Sequence, residues 1–306
     1  MARDRENGLL AGITRNIIVM GIASFLTDVS SEMIYPILPI FLANVLGVPK
    51  SVIGLIEGVA ESTASLLKVF SGWLSDKLGK RKSLVLSGYS ISNLSKPFLA
   101  FTTSWTQVFA IRFADRLGKG VRGAPRDALI ADSTPKSLRG KAFGFHRAVD
   151  TAGAVTGPFL AFLILSIFPR NYRSIFLISA IPGTLAVLIL LFFLKERAQK
   201  NSPEEHPTIT FTSLSKEFKT FTIICAIFAL GNSSDAFLLL RAQSLGVAVA
   251  LVPIVYLLFN LIYSILAMPL GMLSDRISRK KVIVGGYLLF ALIYLGFAFA
   301  KSSFYV

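Results

Sequence analysis

Arg112-Phe113-Ala114-Asp115-Arg116-Leu117-Gly118-Lys119-Gly120-Val121-Arg122-Gly123-Ala124-Pro125-Arg126 decides the fold of this chain. Taken alone, it is polar enough to be a loop. Its surroundings are not: 53% of the 306 residues are hydrophobic and 16% charged, with a mean hydropathy of +0.65. That is too much apolar surface for a water-soluble globule, so lipid must cover much of it. Apolar stretches run over residues 16–46, 52–74, 83–101, 105–130, 142–168, 174–194, 221–240, 247–273 and 282–300. Each approaches or exceeds the roughly 20 residues that cross a bilayer, which makes about nine spans. The charged stretch lies inside the fourth.

Parity decides whether that fourth stretch crosses. Gly72-Trp73-Leu74-Ser75-Asp76-Lys77 is echoed by Gly271-Met272-Leu273-Ser274-Asp275-Arg276, and Lys80-Arg81-Lys82 by Arg279-Lys280-Lys281, all at an offset of 199 residues. Each copy stands where an apolar span gives way to a basic loop, so an even number of crossings separates them. Removing the fourth span makes the number odd. Basic residues cluster in the N-terminal tail (Arg3, Arg5, Arg15) and in alternate connections: Lys77 to Lys82, Lys136 to Lys141, Lys195 to Lys216, and Arg276 to Lys281. The remaining connections hold little beyond Lys50, Arg170, Arg173 and Arg241. This asymmetry places the N-terminus and the basic loops in the cytoplasm, with the chain in the cytoplasmic membrane. It also accounts for the net charge of +15 without nucleic acid, for which no polar domain exists. The basic N-terminus leads into a full-length span and reads as a retained signal anchor. Cys225 is the only cysteine, so an intrachain disulfide and a cysteine metal cage are excluded and a packing role is expected.

Ionised side chains facing lipid cost roughly 2.5 to 3.5 kcal/mol each, so those of the fourth span must face protein or water. Asp115, Lys119, Arg122 and Arg126 follow helical steps on one stripe, with Arg112, Arg116 and Gly120 on the next. Acids recur in other spans: Asp28 and Glu32 in the first, Glu57 and Glu61 in the second, Asp150 in the fifth beside His146 and Arg147. Single residues of this set can be ion pairs between helices; the whole set favours a solute or proton pathway. Asn232, Asp235 and Arg241 supply the seventh span with a polar face. Gly153 and Gly157 clear one helix face for close contact, and Pro158 bends the helix beside them. Asp76 and Asp275 can meet a helix N-terminus or a nearby arginine, a contact able to latch one conformation.

These residues resemble the major facilitator superfamily. Gly72-x-Leu74-x-Asp76-Lys77-x-Gly79-Lys80-Arg81 is similar to its signature loop between spans 2 and 3, and Gly271 to Lys281 to the counterpart between spans 8 and 9, with Ser278 at the second glycine. Arg116-x-x-x-Gly120-x-x-Gly123-Ala124 resembles its second motif, with Lys119 where glutamine is usual. Gly153-x-x-x-Gly157-Pro158 resembles the antiporter motif of the drug-efflux branch, with Ala161-Phe162 at the trailing glycines, and Pro36-Ile37-Leu38-Pro39 is similar to an exporter element. The resemblance implies an all-α polytopic membrane protein: a six-helix N-terminal half (1–194), a cytoplasmic linker (195–217) and a partial, three-helix C-terminal half (218–306). A complete member has twelve spans; this chain stops after the ninth, which implies a fragment of a longer product or a truncated, non-transporting one.

The expected function is secondary active transport of a small solute by alternating access, driven by protons in the direction of efflux. An importer of a small metabolite, an anionic one included, would share the fold. Asp28 and Glu32 are the expected proton carriers, since a carboxylate in a dehydrating cavity can serve as one; Arg116 and Asp150 are expected to assist. Glu57, Glu61, Arg112, Asp115, Lys119, Arg122, Arg126, His146, Arg147, Asn232 and Asp235 are cavity candidates. Gly72, Asp76, Lys77, Gly79, Lys80, Arg81, Gly153, Gly157, Pro158, Gly271, Asp275 and Arg276 are gating candidates. No P-loop, zinc-protease or serine-hydrolase motif is present, so no enzyme, cofactor or metal is expected. The expected partners are the solute, protons and lipid, with the chain a monomer.

Overall fold

The computed structural model describes residues 12–35, 37–168, 171–196, 214–231, 245, 252–300 and 302. Among them the chain is helical, with no strand. The first span is divided into α1 (Arg15–Ile34) and α2 (Leu38–Asn44), where Pro39 occupies the first turn of α2, the helical position that needs no N–H. Then follow α3 (Lys50–Leu78), α4 (Arg81–Ser95) continued by a 3-10 turn (Lys96–Phe101), α5 (Trp105–Asp132) and α6 (Arg139–Ile167). The sixth span is α7 (Tyr172–Ile178) running through Ser179 into α8 (Ala180–Phe193). Three more helices are α9 (Lys216–Gly231), α10 (Val252–Ile277) and α11 (Arg279–Phe299). Local signals explain several ends. Gln107 returns to cap the backbone of Ser104 at the start of α5, a reciprocal cap that satisfies orphan donors. Gly79 closes α3 at φ +63°, in the left-handed region that glycine enters at no cost.

Five described helical segments are long and apolar enough to cross a membrane: Arg15–Ile34, Lys136–Leu165, Tyr172–Phe193, Leu258–Ile277 and Arg279–Phe299. Helices α3, α4 and α5 are not among them. They are held in the bundle by packing: α5 lies between α3 and α4, α4 against α8, and α1 between α8 and α6.

The described residues fall into two compact units, one of residues 1–199 with 260–282 and one of 200–259 with 283–306. In the first, two apolar clusters sit at opposite ends of the helices. One gathers Met33, Phe41, Ile56, Leu99, Val108 and Phe176; the other gathers Ile17, Met20, Val85, Tyr89, Leu129 and Leu190. Between them α1, α4 and α5 present a polar layer that includes Ser24, Thr27, Ser30, Ser92, Asn93, Lys96, Arg112, Asp115, Arg116 and Arg122, all buried. Helices approach closely there through small residues: a Cβ on Gly118 would lie 2.5 Å from the Gly88 carbonyl oxygen. Small residues of this kind bring helices together in lipid, where hydrophobic attraction between them is lost. Outside, Leu66, Val69, Phe70 and Phe192 are exposed, as a lipid-facing surface requires.

In the second unit, α9 meets the later part of α11 through aromatic rings. Phe228 stacks on Tyr287 at 3.8 Å and meets Phe290 edge-on at 4.9 Å. Cys225 lies beside the Tyr287 hydroxyl, Sγ to Oη 3.7 Å.

Candidate functional site

The polar layer is built mainly from α5, whose charges on successive turns reach three neighbours. Toward α3, Arg112 holds Glu57 through two bonds, Nε to Oε1 at 3.0 Å and Nη2 to Oε2 at 2.5 Å. It also reaches Asp115 on its own helix at 3.1 Å. Arg116 stands 3.6 Å from Glu61 and 3.7 Å from Asp115, and the Ser92 hydroxyl donates to Asp115 at 2.6 Å. One turn further, the Arg122 guanidinium lies over the Tyr89 ring at 4.1 Å. Arg126 pairs with Asp127 at 3.0 Å and reaches Ser24 at 3.4 Å. The Ser24 hydroxyl also contacts the Tyr89 hydroxyl at 2.6 Å and His146 Nε2 at 3.0 Å. His146 is therefore a hydrogen-bonded interhelical residue.

Two acids on α1 are treated differently. Asp28 and Glu32 face α6 where Gly153 and Gly157 stand: a Cβ on Gly153 would lie 2.9 Å from that of Asp28, and one on Gly157 2.8 Å from that of Glu32. Neither acid has an ion pair within 4 Å among the described residues, and Glu32 Oε2 is buried with no hydrogen-bond partner. Lys119 and Arg122 lie within electrostatic reach of Asp28, and Lys119 also of Glu32. Lys119 is exposed. On α6, Arg147 pairs with Asp150 at 3.2 Å and donates to the Tyr263 hydroxyl at 2.8 Å.

The repeated loops use their acids in two ways. Asp76 meets Arg81 at 3.3 Å, and Arg81 also bridges to Asp132. Asp275 accepts from the backbone N–H groups of Gly140 and Lys141, both at 2.9 Å, which puts a carboxylate on the positive end of α6. Glu196 does the same for α4, accepting from Arg81 N–H at 3.1 Å and Lys82 N–H at 3.0 Å. Gly72 packs on Ala124, 3.2 Å from Cβ to Cβ for an added methyl, and Gly271 packs on Gly140 and Gly144. Lys77 lies over the Trp73 ring at 5.1 Å; Lys80 and Arg276 are exposed. Pro158 lies inside α6 without ending it. Pro36, Asn232, Asp235 and Arg241 lie outside the described residues.

Lys96 is absent from the sequence-derived set. It is 3% exposed and donates to Ser31 at 2.8 Å, Asn93 at 2.9 Å and Ser30 at 3.3 Å. With Ser31, Arg112 and Asp115 it lines a cavity of ≈ 10 Å³, about the room one water needs. The signal was available, since Lys96 is the one charge in the apolar stretch 83–101. Asp127 was missed because it falls one residue past the quoted stretch.

The Major Facilitator Superfamily profile matches residues 20–306. An uncharacterised MFS-type transporter of Methanocaldococcus jannaschii is 41% identical over 297 residues, covering 95% of this chain and 74% of the relative. A multi-drug resistance efflux pump, PmrA, of Streptococcus pneumoniae is 28% identical over 302 residues, covering 94% of this chain and 74% of the pump. Among solved structures, a POT family transporter in complex with 5-aminolevulinic acid superposes with a TM-score of 0.55 at 20% identity, covering 78% of this chain and 49% of that one. The chain thus spans about three quarters of its sequence relatives and about half of that structure.

Proposed function

We propose, from the premise that this chain belongs to the Major Facilitator Superfamily, that it moves a small solute out of the cell in exchange for protons carried by Asp28 and Glu32. Secondary transport is the family's activity, and the named efflux pump among the relatives supports the direction. One observation supports the assignment of the proton carriers. Glu57, Glu61, Asp115, Asp127 and Asp150 each have a base within 3.7 Å. Asp28 and Glu32 have none among the described residues, which leaves their charge free to come and go.

The mechanism follows from where those acids sit. When charged, they attract Lys119 and Arg122 across the polar layer, drawing α1 toward α5. A proton on either acid weakens that attraction. Helix α1 then moves over the flat surface of Gly153 and Gly157, where no side chain obstructs it. The Asp275 contact with the α6 N-terminus holds one position of α10 against α6, and its release accompanies the other. Domain boundaries at 1–194, 195–217 and 218–306, a cytoplasmic N-terminus and a cytoplasmic-membrane location complete the proposal; the basic loops support the orientation. Proteoliposomes with an imposed pH gradient test it. Gradient-driven solute movement that Glu32→Gln and Asp28→Asn abolish is the expected result, and movement unaffected by both substitutions would overturn it.

A further inference from the structure

We infer that the acid pair on α1 and the base pair on α5 form a recognition site for a zwitterionic small molecule, whose ammonium group meets Asp28 and Glu32 and whose anionic group meets Lys119 and Arg122. The inference rests on the transport reading and adds the chemical class of its cargo.

Most bases of the layer are already occupied. Lys68, Arg112, Arg116, Arg126 and Arg147 are in ion pairs, and Lys96 is enclosed by three oxygen acceptors. In this layer Lys119 and Arg122 have no carboxylate within 4 Å among the described residues. Arg122 is 6% exposed and lies over the Tyr89 ring, yet its Nη1 is buried without a hydrogen-bond partner. The same is true of Glu32 Oε2 on the facing helix. Two unsatisfied groups of opposite charge thus stand in one layer without touching. A buried polar atom without a partner is costly, so such an arrangement persists where something else completes it.

Spacing supports a bipolar ligand. Asp28 and Glu32 are four residues apart and Lys119 and Arg122 three apart, so each pair presents adjacent turns of one helix face. The environment of the acids comprises Asp150 from α6, Lys119, Arg122, Arg116 and Arg112 from α5, and Lys96 from the end of α4. A simple cation entering here meets Lys119 and Arg122, and a simple anion meets Asp28, Glu32 and Asp150. A molecule carrying both signs is attracted at both ends, and each end is rejected by the opposite pair. Lys119 is exposed and Arg122 buried behind it, so water and solute reach the basic pair first at Lys119.

Three ring-matched probes test the class: benzylamine, benzoate and 4-(aminomethyl)benzoate, titrated calorimetrically into the purified chain in detergent. The zwitterion is expected to bind about tenfold tighter than either singly charged probe. The double variant Lys119→Gln with Arg122→Gln should bring it level with benzylamine, and Asp28→Asn with Glu32→Gln should bring it level with benzoate. Lys119→Gln alone changes an exposed side chain and keeps the test readable if a double variant does not fold. Equal binding of the three probes, preference for a singly charged one, or no saturable binding overturns the inference. Flux separates the two readings. A zwitterion that binds but crosses proteoliposomes under no gradient sinks the transporter and leaves the site; gradient-driven movement with benzylamine bound best sinks the site and leaves the transporter.

Discussion

At the residue scale, the charges of the polar layer differ in what their removal should cost. Arg112 is buried against Glu57 and Asp115, so Arg112→Ala strands Glu57, leaves Asp115 to Arg116 and Ser92, and is expected to destabilise the protein by about 3 kcal/mol. Thermal unfolding in detergent measures it, and a loss below about 1 kcal/mol would show that water already compensates the pair. Lys96→Ala leaves Ser30, Ser31 and Asn93 without their donor, an expected loss of about 1–3 kcal/mol. Lys96→Met keeps the stem packed and should lose less, since the apolar length of lysine also fills space. If alanine and methionine cost the same, the hydroxyl and amide contacts of Lys96 determine its worth.

At the element scale, the contact of α1 with α6 and that of α6 with α10 are both made where side chains are missing. Gly157→Ala places a methyl 2.8 Å from the Glu32 Cβ and the Val29 carbonyl oxygen, so the helices must separate at an expected cost of about 1–3 kcal/mol. Flux should fall more than probe binding does, because motion of α1 over α6 is obstructed while the charges remain. Equal losses of both would place Gly157 in static packing alone. Asp275→Ala removes the acceptor from two N–H groups of α6, a cap worth about 0.5–2 kcal/mol. A cysteine introduced at Ser264, whose hydroxyl now donates to the Ala148 carbonyl at 2.5 Å, should then be labelled faster. An unchanged labelling rate would rule out the contact as a latch.

At the scale of the whole molecule, orientation is the claim to check. Cysteine at Lys136, in a basic loop, should react with an impermeant reagent only from the cytoplasmic side, and reaction from outside would invert the topology. Much of this architecture is legible in the chain itself. Hydropathy and basic-loop placement add up along the sequence, so Arg112 to Arg126 could be assigned to the membrane by parity although α5 is not apolar enough on its own. The repeat at Asp76 and Asp275 was legible for the same reason. Partner choice was not. Glu57 and Arg112 are 55 residues apart and Asp275 and Gly140 135 apart, and which charges meet depends on how each helix is rotated about its axis and how closely glycines let it approach. The sequence therefore determined that charges must face inward, because lipid forbids the alternative. It took the folded helices to decide that Arg112, Arg116 and Arg126 are spent on ion pairs while Asp28, Glu32, Lys119 and Arg122 have none among the described residues, because pairing is a matter of a few ångströms between helices that periodicity along one helix does not encode.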